Sequence, residues 1–274
     1  MKAKVVSFAT ALVLLACAVA LAAPRAELWE RWLSHEPDSS MGVDHAAWSR
    51  FLDRYVVMGE DGINRVAYGE VTDEDRASLG KYIARLEAVP VSRLGRDEQR
   101  ALWINLYNSL TVKVVLDHYP VESIRDIDIS PGFFADGPWG RELATVEGEG
   151  LSLDDIEHRV LRPIWKDPRI HYAVNCAALG CPNLRAEAFT AENAERLLDE
   201  GAREYVNHPR GAWFEGERLH VSSIYKWFME DFGGSHEGVL DHLRRYARPE
   251  LRERLEGERR FRGHDYDWTL NDAP

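Results

Sequence analysis

The residues best suited to chemistry lie in one short stretch, His171-Tyr172-Ala173-Val174-Asn175-Cys176, followed closely by Gly180-Cys181-Pro182. Arg169 to Val174 has the β-branched and aromatic content of a strand, where alternate residues share a face, so His171, Ala173 and Asn175 are expected to point the same way. A cysteine just past a strand, in a loop containing Gly and Pro, is well placed to be a nucleophile. Cys176 is therefore the candidate nucleophile, with His171 as one candidate base. Spacing limits that pairing: at roughly 3.3 Å per residue the two would stand about 16 Å apart along a continuing strand. They meet only if the chain folds back after Asn175. His158 is the other candidate base. Asp154, His158 and Arg162 follow one another at i, i+4 spacing, a pattern that describes a solvated ladder of opposite charges equally well.

The two cysteines admit four accounts. Cys176 and Cys181 form a disulfide, or Cys176 is a reactive thiol, or it is an inert buried one, or both join a histidine around a metal. Cys-x4-Cys lacks a second matched ligand pair, so neither a metal nor another cofactor is expected.

A second constellation sits in the longest helical stretch, about Asp97 to Asp117. Asn105 and Asn108 are three apart, hence on one face of an otherwise apolar run, and Glu98 falls on that side too. A buried amide without partners costs about 1–3 kcal/mol. These side chains therefore either pin a neighbouring loop or line a polar cavity facing a ligand. In the second case Asn105 or Asn175 would orient the base or donate to an oxyanion.

The elements that must position these groups are mostly helical. Asp44 precedes an apolar stripe from Ala46 to Tyr55, and Thr72-Asp73-Glu74-Asp75 caps a helix closed by Pro90. The Asp97–Asp117 stretch is apolar around most of its circumference, as a central buried helix must be. Leu143 to Gly150 reads as a short hairpin, and Ser152-Leu153-Asp154-Asp155 opens a helix through Leu161 as a capping box. Further helices are expected over 191–206, 224–232 (ending at Gly233-Gly234) and 239–246. A hairpin is expected over 212–221 and a closing strand over 261–268. Helices first and short strands later predict an α+β fold: a helix-rich single domain with a small, mostly antiparallel sheet packed on the buried central helix.

Lys2 and Lys4, an apolar run from Val5 to Cys17 and Ala20-Leu21-Ala22 make a leader peptide, residues 1–22, with cleavage after Ala22. The rival is lipidation at Cys17, within Leu14-Leu15-Ala16-Cys17. Export to the periplasm or the exterior is expected, with the lipoprotein as alternative. Removing 22 of the 274 residues leaves 252, and losing two lysines moves the formal charge from −12 to −14. That acidity excludes nucleic acid as a partner, because phosphate binding needs clustered Lys and Arg. No later stretch is apolar and long enough to span a bilayer, so the mature chain is expected to have no integral membrane span.

Three blocks of residues together resemble a known family. Leu102-Trp103-Ile104-Asn105-Leu106-Tyr107-Asn108 is the first, Leu153-Asp154-Asp155-Ile156-Glu157-His158 with Leu161-Arg162 the second, and His171 to Cys176 with Cys181-Pro182 the third. They look like domain of unknown function 547 over about residues 94–232, with a compatible tail to Asp272. Residues 23–93 then form an N-terminal helical region and 94–272 the domain itself. The resemblance implies no settled activity; some members occur in chains that also carry a glutaredoxin-like domain, a hint of thiol chemistry. It directs attention to Asn105, Asn108, Glu157, His158, Arg162, His171, Asn175 and Cys176.

The leading expectation is a thiol-dependent hydrolase or acyltransferase acting on peptide or amide bonds, in an arrangement like papain or transglutaminase. Cys176 would be its nucleophile, His171 or His158 its base, and Asn108, Glu157, Arg162 and Asn175 its binding residues. Those enzymes carry cysteine at the start of the buried helix, whereas this helix offers Asn105 and Asn108. The alternative is a non-enzymatic cell-envelope module that binds a small peptide or other envelope ligand, with Cys176–Cys181 structural; Trp139 and Trp213 could serve it as contacts, though a core role is the stronger expectation for either. A redox role for the two thiols is a third reading, weakened by the lack of a Cys-x-x-Cys motif.

Overall fold

A computed structural model describes residues 24–132 and 136–274; the expected leader, residues 1–22, and the alternative lipidation site at Cys17 lie outside the described residues. The organising element is α3, Arg96–His118. Every residue from Gln99 to Leu116 except Lys113 is buried, as its all-round apolar surface requires. Asp97 and Glu98 in the first turn and His118 in the last oppose the helix dipole.

Two earlier helices pack into the same core as α3. α1 (Ala46–Tyr55) contributes Trp48, Phe51, Leu52 and Tyr55, and α2 (Asp73–Glu87) contributes Leu79, Tyr82, Ile83 and Leu86. Thr72 caps α2, its Oγ1 accepting from the Asp75 N–H at 3.2 Å. Between α1 and α2 runs a hairpin that the sequence reading passed over, β1 (Val56–Met58) against β2 (Asn64–Val66). Its turn carries Gly62 at φ 78°, the left-handed region glycine enters freely.

The expected hairpin after α3 is present as β3 (Ala144–Val146) and β4 (Glu149–Leu151). The expected capping box follows: Ser152 Oγ accepts from the Asp155 N–H at 3.1 Å, and Asp155 Oδ2 accepts from the Ser152 N–H at 3.0 Å. The helix it opens is not a regular α-helix. Asp155–Leu161 is a π-helix that runs directly into the short α4 (Arg162–Trp165).

Arg169 to Val174 is not a strand. Asp167 Oδ1 accepts from the Arg169 N–H at 2.9 Å and Pro168 opens a 3-10 helix, Pro168–Tyr172. An Asp-Pro start is a helix signal, and it prevails over the β-propensity of Ile170, Tyr172 and Val174.

α5 (Ala194–Val206) joins two apolar clusters. Its Leu197 and Leu198 belong to the α3 core, while Ala202, Tyr205 and Val206 belong to a second cluster with α6 (Ser223–Trp227) and α7 (His236–Tyr246). That shared helix makes one α+β domain. The segment expected to be one helix from 224 to 232 is α6 followed by a 3-10 turn, Met229–Phe232, capped by Gly233 at φ 93°. α8 (Pro249–Leu255) is a further helix that the sequence reading left out.

The strands form three small sheets rather than one. The largest joins β5 (Ala212–Glu215) antiparallel to β6 (Arg218–Ser222), and β6 parallel to β7 (Gly263–Asp265). Among the described residues no helix is long and apolar enough to cross a membrane.

Candidate functional site

The site begins with Asn175, which turns the chain. Its Oδ1 accepts from the Ala177 N–H at 2.9 Å, and Ala177 takes φ 58°, so the backbone reverses immediately after Cys176. The reversal brings Cys176 and Cys181 together as a disulfide, Cα to Cα 6.3 Å. Around it, the Cys176 N–H donates to Cys181 Sγ at 2.9 Å. The Tyr266 hydroxyl lies 3.0 Å from each sulfur and donates to them. Among the described residues no histidine is hydrogen-bonded to either sulfur.

The disulfide loop is also sewn to the C-terminal segment through its backbone. The Gly180 N–H donates to the Asp267 carbonyl and the Leu179 N–H to the Thr269 carbonyl, each at 2.8 Å. A Cβ on Gly180 would meet the Asp267 backbone at 2.8 Å, so only glycine allows this approach.

The two asparagines of α3 are loop pins. Asn105 Nδ2 donates to the Phe189 carbonyl at 2.7 Å, and its Oδ1 accepts from the Phe189 N–H at 3.0 Å, satisfying both backbone groups of that residue. Asn108 Nδ2 donates to the Ala173 carbonyl and its Oδ1 accepts from the Asn175 N–H, each at 2.8 Å. Asn175 Nδ2 donates in turn to the Pro182 carbonyl at 2.8 Å. All three amides are buried and have partners at both ends.

His158, Glu157, Arg162 and His171 do come together, but in the interior. The π-helical turn directs Glu157 and His158 inward, Arg162 joins them from the start of α4, and all three are buried, so the Asp154–His158–Arg162 series is not a solvated ladder. His171 Nε2 donates to Asp231 Oδ2 at 2.6 Å, and its Nδ1 lies 3.6 Å from Glu157 Oε1. Arg162 donates from Nε to Asp231 at 2.6 Å, from Nη2 to Glu230 at 3.0 Å, from Nη1 to His158 Nδ1 at 3.0 Å, and from Nη1 to the Pro24 carbonyl at 2.8 Å. Phe228 covers the group, its ring stacked on His171 at 4.5 Å with the Arg162 guanidinium 4.6 Å from its centre.

The protonation states follow from these contacts. Burial alone would push His171 down, but its bond to Asp231 and the nearby Glu157 outweigh it and hold its pKa above 6.5. Burial would push Glu157 up, yet His158, His171 and Arg162 hold it down to about 2. His158 is itself pushed down to about 4 by burial and is neutral at neutral pH. There the charge opposing Glu157 comes from His171 and Arg162. Asp231 is held down to about 2 against burial by His171 and Arg162. The result is an internal ion network with its charges paired, not a base poised beside a nucleophile.

Sequence reasoning missed Asp231, Glu230, Phe228 and Tyr266. The available signals were an acid pair set between Met229 and Phe232, and a tyrosine between two aspartates ahead of Trp268. Neither signal points to His171 or Cys176, because all four residues reach the site from more than 40 positions away. Of the two tryptophans considered as contacts or core, Trp139 packs edge-on against Trp268 at 5.6 Å, and Trp213 stacks on His220 at 5.3 Å. Among the described residues no group of three or more His, Cys, Asp or Glu side chains is arranged to hold a metal ion.

An open groove of about 800 Å³ is lined by Val121 to Ser123 with Asp126, and by Asp265 to Leu270 with Asp272. Tyr266 belongs to both features: its hydroxyl meets the sulfurs while its residue lines the groove.

Residues 91–206 match the family described as "Protein of unknown function, DUF547", and over that stretch the chain is similar to its members. No curated protein and no solved structure matches the chain. The matched stretch contains all eight residues singled out from sequence, whereas Asp231 and Tyr266, which complete their surroundings, lie beyond it.

Proposed function

We propose that the protein is a non-enzymatic binding module of the cell envelope, in which the Cys176–Cys181 disulfide braces a ligand groove. The observation that carries this reading is the disulfide itself. A sulfur bonded to another sulfur has no thiolate to attack an amide, and this pair instead accepts from Tyr266, a residue of the groove wall. The other expected catalytic groups have structural employment. Asn105 holds Phe189, Asn108 and Asn175 hold the disulfide loop, and His171 is committed to Asp231. An exported location suits the reading, because disulfides persist in oxidising compartments. The ligand would be a small peptide or another envelope component lying in the groove.

The thiol hydrolase reading, with its papain-like arrangement, requires Cys176 to be free and low in pKa. Intact-mass thiol labelling of the mature protein, with and without reductant, separates the two. Labelling of neither cysteine before reductant is the expected result. Rapid labelling of Cys176 without reductant, below about pH 7 where ordinary thiols are slow, would overturn the module and restore the hydrolase.

A further inference from the structure

The groove has a chemistry of its own. Five carboxylates line it: Glu122, Asp126, Asp265, Asp267 and Asp272. No Lys or Arg does, and among the described residues none of the five forms an ion pair, although many other acids of this chain do. Their hydrogen bonds are to their own loops: Asp126 accepts from the Ser123 N–H, Asp265 from the Tyr266 N–H, and Asp267 from the Thr269 N–H. Asp272 accepts from the Tyr119 hydroxyl at 2.8 Å through Oδ2, while its Oδ1 is buried with no partner.

The same groove has an aromatic wall. Tyr266 and Trp268 lie with ring centres 4.7 Å apart, and Trp227 backs both, at 5.0 and 5.8 Å. All three rings are only partly buried. A neighbouring guanidinium, Arg125, already lies 5.4 Å from the Trp268 ring centre, and Asp136 neutralises it. Aromatic faces beside unpaired carboxylates attract cations twice over, through the ring quadrupole and through net charge. The wall does not move freely, since Ser123 Oγ donates to the Trp268 carbonyl and the Leu270 N–H to the Glu122 carbonyl.

We infer that this groove binds a basic peptide segment, its Lys or Arg side chains laid across Tyr266 and Trp268 and paired with Asp265 and Asp267. The assignment rests on the binding-module reading and names its ligand class. Neutral peptides would leave the carboxylates without counter-charge, and acidic ones would be repelled.

The test is isothermal titration calorimetry of the oxidised full chain with tetra-arginine amide, with tetra-asparagine and tetra-glutamate peptides as controls. Tetra-arginine is expected to bind, and the Asp265→Asn, Asp267→Asn double variant to weaken it about tenfold. Each Asn keeps the Oδ1 that accepts from Tyr266 or Thr269, so the segment retains its turn. A second double variant, Asp53→Asn with Glu60→Gln, removes two exposed acids outside the groove and is expected to leave binding within twofold. Equal weakening by both double variants would mean attraction to net charge and overturn the site. Binding of tetra-asparagine as tight as tetra-arginine would overturn the cationic assignment while the binding module stands. No binding of tetra-arginine overturns the inference. Cys176 labelling without reductant overturns the module itself, independently of any titration.

Discussion

Replacing both cysteines by alanine should cost about 3–4 kcal/mol of stability, and the size of that loss follows from the loop they close. The cysteines are five apart in sequence, so the bond closes a ring of only six residues. Chain-entropy accounting for so short a ring gives roughly 7 cal/mol/K, or about 2 kcal/mol at 25 °C. Losing the sulfur acceptors of the Tyr266 hydroxyl and the Cys176 N–H adds about 0.5–1 kcal/mol each. For a chain of this size each kcal/mol moves the thermal midpoint by about 2–4 °C, so a fall of several degrees is expected. Urea unfolding of the oxidised protein, Cys176→Ala, Cys181→Ala and the double variant measures it. Either single change breaks the same bond, so all three variants should be destabilised alike, with the slope against urea nearly unchanged. A double variant within about 0.5 kcal/mol of the parent, or single effects that simply add, would refute the bracing role.

Two further outcomes test the interior. Asn105→Ala strips partners from both the N–H and the carbonyl of buried Phe189 and should cost about 2–4 kcal/mol by urea unfolding; a loss below about 1 kcal/mol would mean that water or a rearranged loop replaces the amide. Stability should fall as pH drops from 6.5 toward 4. His45 and His158 are pushed down to about 4 by burial, so in that window the unfolded chain binds protons the folded chain refuses, at up to about 3 kcal/mol each. Glu157 and Asp231 contribute fully above 4.5 and 3.8, and their share is lost as pH falls through about 2. His171 acts in the opposite sense: its contribution is complete below 6.5 and lost as pH rises through its raised value. Urea midpoints at pH 7, 6 and 5 check the net sign, and a midpoint rising toward pH 5 would contradict the buried neutral histidines.

Local pattern carried the sequence reading a long way. The all-round apolar surface of α3, the Thr72 cap, the Ser152 capping box, the Gly233 cap and the hairpin across Gly216 are each set by residues within a few positions of one another. Each is therefore visible without the fold. The pairing of Asn105 and Asn108 on one face was visible too, along with its cost if unmet. Where local signals conflict, as at 169–174, the Asp167-Pro168 helix start outweighs the β-rich residues that predict a strand.

The tertiary structure decided what the polar residues are for. Spacing put Asp154, His158 and Arg162 on one helix face, but only the π-helical turn and the arrival of Asp231 and Phe228 made that face an interior. Cys176 read equally well as nucleophile or bridge, because a thiol's role depends on what stands within a few ångströms of its sulfur. That neighbour, Tyr266, is 90 residues away in sequence. The groove has the same origin: its carboxylates come from two loops that sequence keeps apart and that the Leu270–Glu122 backbone bond brings together. By itself the sequence determined the elements and which polar groups needed partners; the partners were long-range choices, made by packing.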